Sequence, residues 1–343
     1  MEYPNDTKIT IICPIYQEAK FIAYFLESII DQDCNKENLE VLLIDGMSTD
    51  GTRSIIQQYS EKYPYFHLMD NPEHTVPFAL NAGIKKASGD IIIRLDAHCK
   101  YPQNYISELA KQLIKLKADN VGGLWHTVPA NDSTEAISVA VCSSHPFGVG
   151  GSEHKIGATT IHEVDTVPFG CYMTEVFDKI GLFDEELTRN QDDEFNGRLI
   201  NNGGHIYIIP DIVIEYTARE NLKKMRKMYY QYGLFKPLVN KKLGSPATIR
   251  QFFPTLFCLG IIIGALLSPL AAWIRWAYLG VLIFYVLIGT IIGIKNALIY
   301  KRLLLVAYMP FTFLNIHLSY GWGYLNGYYK ILIGKKFNVK ITR

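Results

Sequence analysis

Acids are missing from the most basic part of this chain, and charge of either sign is missing just beyond it. Residues 221–250 contain Lys223, Lys224, Arg226, Lys227, Lys236, Lys241, Lys242 and Arg250 but no Asp or Glu. Segments 252–274, 276–294 and 303–329 then carry no charged residue. Cysteine is sparse. Cys13, Cys34, Cys99, Cys142, Cys171 and Cys258 are scattered, with no CxxC or other metal-ligand spacing. No GxxxxGK[ST] is present and no GxGxxG follows the first strand, which argues against a P-loop and against dinucleotide binding. The net charge is only +1, so no global field points to nucleic acid, and none is expected as a partner. No secretory leader is legible at the N-terminus. The first 250 residues are therefore expected in the cytoplasm with their thiols reduced.

The uncharged runs imply membrane. The first, as a helix, is about 35 Å long against a hydrocarbon core of about 30 Å. It is separated from the second by Arg275 alone. A hairpin crossing out over 252–274 and back over 276–294 is expected. The third run is interrupted by Pro310, Asn315, His317 and Asn326. It is expected to re-enter or lie along the interface, because a full crossing would put Lys330, Lys335, Lys336, Lys340 and Arg343 on the disfavoured side. Segment 222–233 has apolar residues at Leu222, Met225, Tyr229 and Tyr232 opposite a Lys/Arg face. It reads as a helix lying on an anionic membrane surface, with an ordinary packing helix as the competing reading.

Ahead of the membrane region, strands and helices alternate. Segments 8–16 and 66–71 read as strands, 39–52 as a strand running into a Gly-, Ser- and Asp-rich turn, and 90–100 as a buried strand ending in Arg94 to His98, with 18–32, 53–63 and 76–87 as helices between them. This is the doubly wound α/β signature. A helix over 105–116 and a strand over 121–128 follow. Residues 142–166, rich in Gly, Ser and His, read as a long surface loop. Segment 191–204 begins as an acidic helix and 205–217 closes with strands.

The ends of the early strands are polar: Tyr16-Gln17-Glu18, Asp45-Gly46 and Asp96-Ala97-His98. In open α/β sheets ligands bind at that edge. An aromatic ring can stack on a base, and a carboxylate can accept from a ribose hydroxyl. An Asp/His pair can hold a divalent cation against a diphosphate.

The stretches ICPIYQEAKFI, LEVLLIDGMSTDGT, LNAGIKKASGDIIIRLDAH, VPFGCYMTEVFDKIGLFDE and RNQDDEFNGRLINNGG resemble, in order, those of the family-2 glycosyltransferases. The nearest likeness is to the membrane-attached bacterial exopolysaccharide branch, such as succinoglycan glucosyltransferases. The resemblance implies a GT-A nucleotide-sugar-binding domain followed by C-terminal transmembrane helices. In it Pro14, Tyr16 and Glu18 match the P-x-Y-N-E motif, with Tyr16 stacking on the base and Gln17 replacing Asn. Asp45 matches the first Asp of V-D-D-G-S, and Gly46 replaces the second. Asp96 matches the first acid of DxD, with His98 in place of the second, for Mn²⁺ or Mg²⁺. Asp192 matches the general base, Asp193 is its neighbour and rival, and Gln191 replaces the preceding Glu. Glu194 and Arg198 match the rest of that helix. Arg94 is expected to flank the sugar or an acid. The processive Gln-x-x-Arg-Trp is absent; only Gln231-Tyr232-Gly233 stands there, so a single addition is expected.

The resemblance thus implies an inverting transfer from a nucleotide-diphosphate sugar, UDP-linked for preference, to a polyprenyl-linked saccharide. The setting would be a multi-pass protein of the cell (inner) membrane, in contact with membrane lipid, with its catalytic domain cytoplasmic. The implied division is a catalytic domain over 1–218, a basic amphipathic segment over 219–250 and a membrane domain of two or three helices over 251–330. A basic tail over 331–343 follows. A membrane-tethered nucleotidyltransferase and an inactive nucleotide-sugar-binding scaffold are the alternatives.

Overall fold

A computed structural model of the chain describes residues 6–246 and 248–337. The first half alternates as read: β1 (Ile9–Ile15), α1 (Ile22–Ile30), β2 (Leu39–Asp45), α2 (Thr52–Lys62), β3 (Phe66–Asp70), α3 (Val76–Lys86) and β4 (Ile91–Arg94). Then come β5 (Cys99–Lys100), α4 (Tyr105–Leu116) and β6 (Asn120–Val128). Three helices follow, α5 (Thr134–Ser144), α6 (Pro146–Val149) and α7 (Glu153–Ile156). The chain then forms β7 (His162–Glu163), β8 (Cys171–Met173), α8 (Glu175–Ile180), α9 (Gln191–Asn201) and β9 (Ile206–Thr217).

The strands form one sheet in the order β3-β2-β1-β4-β8-β6-β9-β5, with β7 beside β9. The first four are parallel, and Ile11 pairs with both Val41 and Ile93. Strand β8 joins β4 antiparallel. Strands β1, β2 and β4 are largely apolar because both faces are covered, whereas the edge strand β3 leaves His67 exposed. Ile11, Val41 and Ile93 face a core with Phe25 and Leu26 of α1 and Leu109 of α4. Ile12, Leu42 and Ile92 face another with Leu80 of α3 and Phe195 and Leu199 of α9. All four parallel strands therefore end at one edge, which carries Tyr16, Asp45, Asp70 and Asp96.

Packing divides the chain differently from the linear division read from the sequence. One unit runs through His126 and resumes over Gly157–Tyr216. The other takes Thr127–Ile156 and the described residues from Thr217 onward. The excursion over Thr127–Ile156 corrects the long loop expected at 142–166. Much of it is helical, because Cys142 and Phe147 have apolar partners. The Cys142 sulfur lies 3.4 Å from that of Met309, and the Phe147 ring lies 5.0 Å from Phe313.

The second unit continues with α10 (Leu222–Leu243), α11 (Phe253–Leu267), α12 (Ala272–Tyr300) and α13 (Leu305–Leu332). Among the described residues, two helical stretches are long and apolar enough to cross a membrane, Ile249–Leu267 and Ala272–Tyr300. Their lengths are about 28 and 43 Å. The break between them lies at 268–271, not at Arg275. Pro269 lacks an N–H and its ring clashes with the preceding turn, so Arg275 falls in the first turn of α12. Helix α13 runs unbroken through Pro310, an interior position that forgoes the backbone hydrogen bond to the carbonyl of Val306.

The expected membrane-surface face of α10 is already occupied. Met225 and Tyr229 are buried in the same cluster as Met309, Phe313 and Ile316 of α13. The two helices touch through glycine. A Cβ on Gly233 would meet the carbonyl of Tyr320, and one on Gly323 the carbonyl of Tyr230. The packing reading therefore holds for the apolar face, while Lys223, Lys224, Arg226 and Lys227 remain exposed.

Candidate active site

The turn after β1 is laced to the turn after β2. The N–H groups of Gln17, Glu18 and Ala19 donate to Ser48 Oγ (2.8 Å), Thr52 Oγ1 (2.9 Å) and Asp50 Oδ2 (3.0 Å). The S-T-D-G-T run thus supplies acceptors to a turn more than thirty residues earlier. This satisfies backbone donors that neither strand nor helix can. Gln17 is left with φ of 55°, in the left-handed region.

Asp45 is fully buried. Its carboxylate accepts from Ser48 N (2.8 Å), Ser48 Oγ (2.5 Å) and Arg53 Nη1 (2.9 Å). Arg53 also reaches Asp70 at 2.7 Å. Asp45 therefore anchors the turn and orients Arg53, the guanidinium at the ends of β2 and β3. Neither Arg53 nor Asp70 was picked out from the sequence, since nothing in their spacing marks them as partners.

Tyr16 remains 48% exposed, so its ring is open to a ligand. His74 approaches it edge-on with ring centroids 6.2 Å apart, and His74 Nδ1 lies 2.7 Å from the Gly46 carbonyl oxygen. Gly46 lies beneath: a Cβ there would stand 3.2 Å from Tyr16 Cδ2. The absent second acid leaves room for a close Tyr16–Gly46–His74 arrangement. Pro14 is within β1, opposite Ile44. Glu18 is buried, with Oε1 3.7 Å from His98 Nδ1.

The centre of the site is Arg94, the last residue of β4, only 7% exposed. Its Nη1 donates to Asp192 Oδ1 at 2.5 Å and its Nη2 to Asp96 Oδ1 at 3.4 Å. Its guanidinium lies over the Phe169 ring, 5.7 Å from the centroid. The Arg94 N–H donates to the carbonyl of Gly170. Gly170 has φ of 64°, and a Cβ there would strike the Tyr172 ring. The Tyr101 hydroxyl accepts from Asp96 N (2.8 Å) and faces Asp96 O at 3.2 Å, fixing the backbone of that acid.

Asp192 comes from the first turn of α9, where Asp192, Asp193 and Glu194 sit at the positive end of the helix dipole. Burial pushes the Asp192 carboxyl above its ordinary value; Arg94 opposes this, and the charges of Asp96 and Asp193 add to it. Burial disfavours the Arg94 charge, but Asp192 and Asp96 outweigh it and hold the guanidinium protonated. Arg198, which matches the family's pattern on this helix, is held by protein partners. It pairs with Glu194 at 2.8 Å and donates to the carbonyl oxygens of Ile180 and Leu182.

Asp96 and His98 offer one carboxylate and one imidazole, an oxygen and a nitrogen donor of the kinds that ligate divalent cations. Among the described residues, no group of three His, Cys, Asp or Glu side chains could hold a metal alone. A cation bound there would take one or two protein ligands and complete its shell with phosphate oxygens and water.

Residues 10–155 match the family model described as glycosyl transferase family 2. Over 330 residues the chain is 30% identical to the dolichyl N-acetyl-alpha-D-glucosaminyl phosphate 3-beta-D-2,3-diacetamido-2,3-dideoxy-beta-D-glucuronosyltransferase of Methanococcus voltae, covering 94% of this chain and 97% of that protein. It is also 30% identical over 279 residues to the succinoglycan biosynthesis protein ExoA of Rhizobium meliloti (strain 1021), covering 81% and 83%. Among solved structures, the mannosyltransferase PcManGT from Pyrobaculum calidifontis, in complex with GDP-Man and Mn²⁺, superposes with a TM-score of 0.58 at 18% identity. That match covers 96% of this chain and 88% of that one. At that identity the likeness is one of fold, and it gives the α/β unit the GT-A architecture. The polar strand ends, the acidic start of α9 and the match along almost the whole chain have one common explanation: this protein belongs to glycosyl transferase family 2.

Proposed function

We propose that the protein adds one sugar, with inversion, from a nucleotide-diphosphate sugar to a lipid-linked saccharide at the cytoplasmic face of the cell membrane. The observation that carries this reading is the convergence of Asp96 and Asp192 on Arg94. Residues separated by nearly a hundred positions meet at the sheet edge where a leaving diphosphate and an attacking hydroxyl must also meet. Asp192 takes the proton of the acceptor hydroxyl as that oxygen attacks the anomeric carbon. Arg94 holds the Asp192 carboxylate toward the reacting atoms. Tyr16 and His74 form the slot for the nucleotide base. When bound through Asp96 and His98, Mn²⁺ or Mg²⁺ would supply charge neutralisation for the departing diphosphate. Inversion turns an α-linked donor into a β-linked product.

Two observations support the lipid-linked acceptor. Two apolar helices follow the catalytic unit, and the name of the M. voltae relative carries a dolichyl-linked sugar phosphate. Likeness to ExoA supports a role in polysaccharide assembly. The test is to incubate membranes containing the protein with a panel of labelled nucleotide sugars and extract the lipid. One donor should label a lipid fraction, and the anomeric proton coupling of the product should be that of the inverted linkage. Retained configuration would refute the single-displacement mechanism. Nucleotide exchange without sugar transfer would favour a nucleotidyltransferase.

A further inference from the structure

The excursion over Thr127–Ile156 leaves the sheet at β6, packs within the helical unit and rejoins the sheet at β7. Its last part gathers positive charge at one place. Arg250 Nη1 donates to the carbonyl of Gly151 at 2.8 Å, and the Arg250 stem lies along Gly150. His154 is buried, with Nδ1 3.5 Å from Ser152 Oγ. Lys155 Nζ lies over the Tyr232 ring, 5.9 Å from its centroid. Burial, and then the charges of Lys155 and Arg250, hold the His154 imidazole well below its ordinary pKa. Ser152, His154 and Lys155 lie within four residues of Gly151, whose carbonyl Arg250 reaches. Glu153 is the single acid of segment 145–156.

The location matters as much as the charge. Arg250 lies in the short helical turn that begins the first candidate span, Ile249–Leu267. Its neighbours Ile249 and Phe253 are 79% and 66% exposed. Cations, a hydroxyl and an imidazole therefore stand beside apolar side chains at the end of a span. A ligand suited to both has a phosphoryl head and a hydrocarbon tail. Arginine is matched to phosphate by its planar fork, and lysine as a point charge.

We propose that Ser152, His154, Lys155 and Arg250 form a cradle for the phosphoryl group of a polyprenyl-phosphate carrier lipid. The inference rests on the lipid-linked acceptor proposed above and names the residues that would hold its head group. The carrier's tail lies along the exposed apolar surface that begins at Phe253. Bulk anionic phospholipid shares the phosphoryl chemistry and is the alternative source.

The test is direct binding to the full chain in nanodiscs of phosphatidylcholine. Four probes are compared: polyprenyl diphosphate, the corresponding polyprenol, phosphatidylglycerol and inorganic pyrophosphate. Polyprenyl diphosphate should bind at least tenfold more tightly than polyprenol. The K155Q/R250Q double variant should lose that preference, and R250K should recover part of it. An unchanged thermal midpoint and unchanged affinity for the nucleotide-sugar donor would show that the variants are folded. Equal binding of polyprenol and polyprenyl diphosphate would overturn the cradle. So would retention of the preference in the double variant. Displacement of polyprenyl diphosphate by equimolar phosphatidylglycerol would overturn the carrier assignment in favour of bulk lipid. Pyrophosphate should compete only weakly; full competition would remove the role of the tail. Because these arms measure binding alone, transfer to a water-soluble acceptor would refute the proposed function without touching this result.

Discussion

Replacing Arg94 by Gln gives the sharpest test of the site. The guanidinium is buried, and one of its nitrogens is 2.5 Å from an oxygen of Asp192. Taking the charge centres about 4 Å apart at an effective dielectric of about 20, their attraction is about 4 kcal/mol. The Asp192 side chain is 34% exposed, so solvent screening reduces this to roughly half, about 2 kcal/mol. Losing Arg94 should therefore raise the Asp192 carboxyl further above its ordinary value. Burial and the neighbouring acids already push in that direction. A base works only when deprotonated, so activity is lost as pH falls through its pKa. The acid limb of the kcat profile, measured at saturating donor and Mn²⁺, should therefore move toward higher pH in R94Q. R94K keeps the charge and should move it by less than half as much. An R94Q enzyme that is folded, binds donor normally and shows the wild-type acid limb would refute the role given to this ion pair.

Asp192→Asn should lower kcat by roughly 10²- to 10⁴-fold with donor affinity nearly intact; if Asp193→Asn is the inactive variant instead, the base lies one residue along. Excess EDTA should abolish transfer and Mn²⁺ should restore it at least as well as Mg²⁺, with His98→Asp shifting the preference toward Mg²⁺; full turnover in EDTA would remove the metal. Gly46→Asp should weaken donor binding by crowding Tyr16, whose Cδ2 would lie 3.2 Å from the new Cβ, and isothermal titration with the nucleoside diphosphate would detect it. Arg198→Met should cost about 2 kcal/mol of stability by removing charged hydrogen bonds to Glu194 and two carbonyl groups. Its donor affinity should stay the same, and a selective loss of donor binding at unchanged thermal midpoint would place Arg198 in the donor site.

The alternation of β-branched runs with amphipathic segments was enough to place β1 to β4 and their helices, because buried parallel strands have a one-dimensional signature. The same holds for the polar strand ends and for the apolar runs, where charge is excluded by the surroundings and not by a particular partner. Partners are another matter. That Asp192 would meet Arg94, that Asp45 would be consumed by Ser48 and Arg53, and that Arg198 would brace Ile180 and Leu182 depend on distances across the fold. No local pattern encodes them. His74 was missed for the same reason: its place beside Tyr16 comes from the turn before α3. The apolar stripe of α10 was legible in the sequence, but a stripe does not say whether lipid or another helix will cover it. Glycines on both α10 and α13 allow the backbones to approach, and that pairing exists only in three dimensions. The segment around Gly148 carried the composition of a loop. Its burial was decided by Met309 and Phe313, more than 150 residues away, which gave its few apolar side chains somewhere to go.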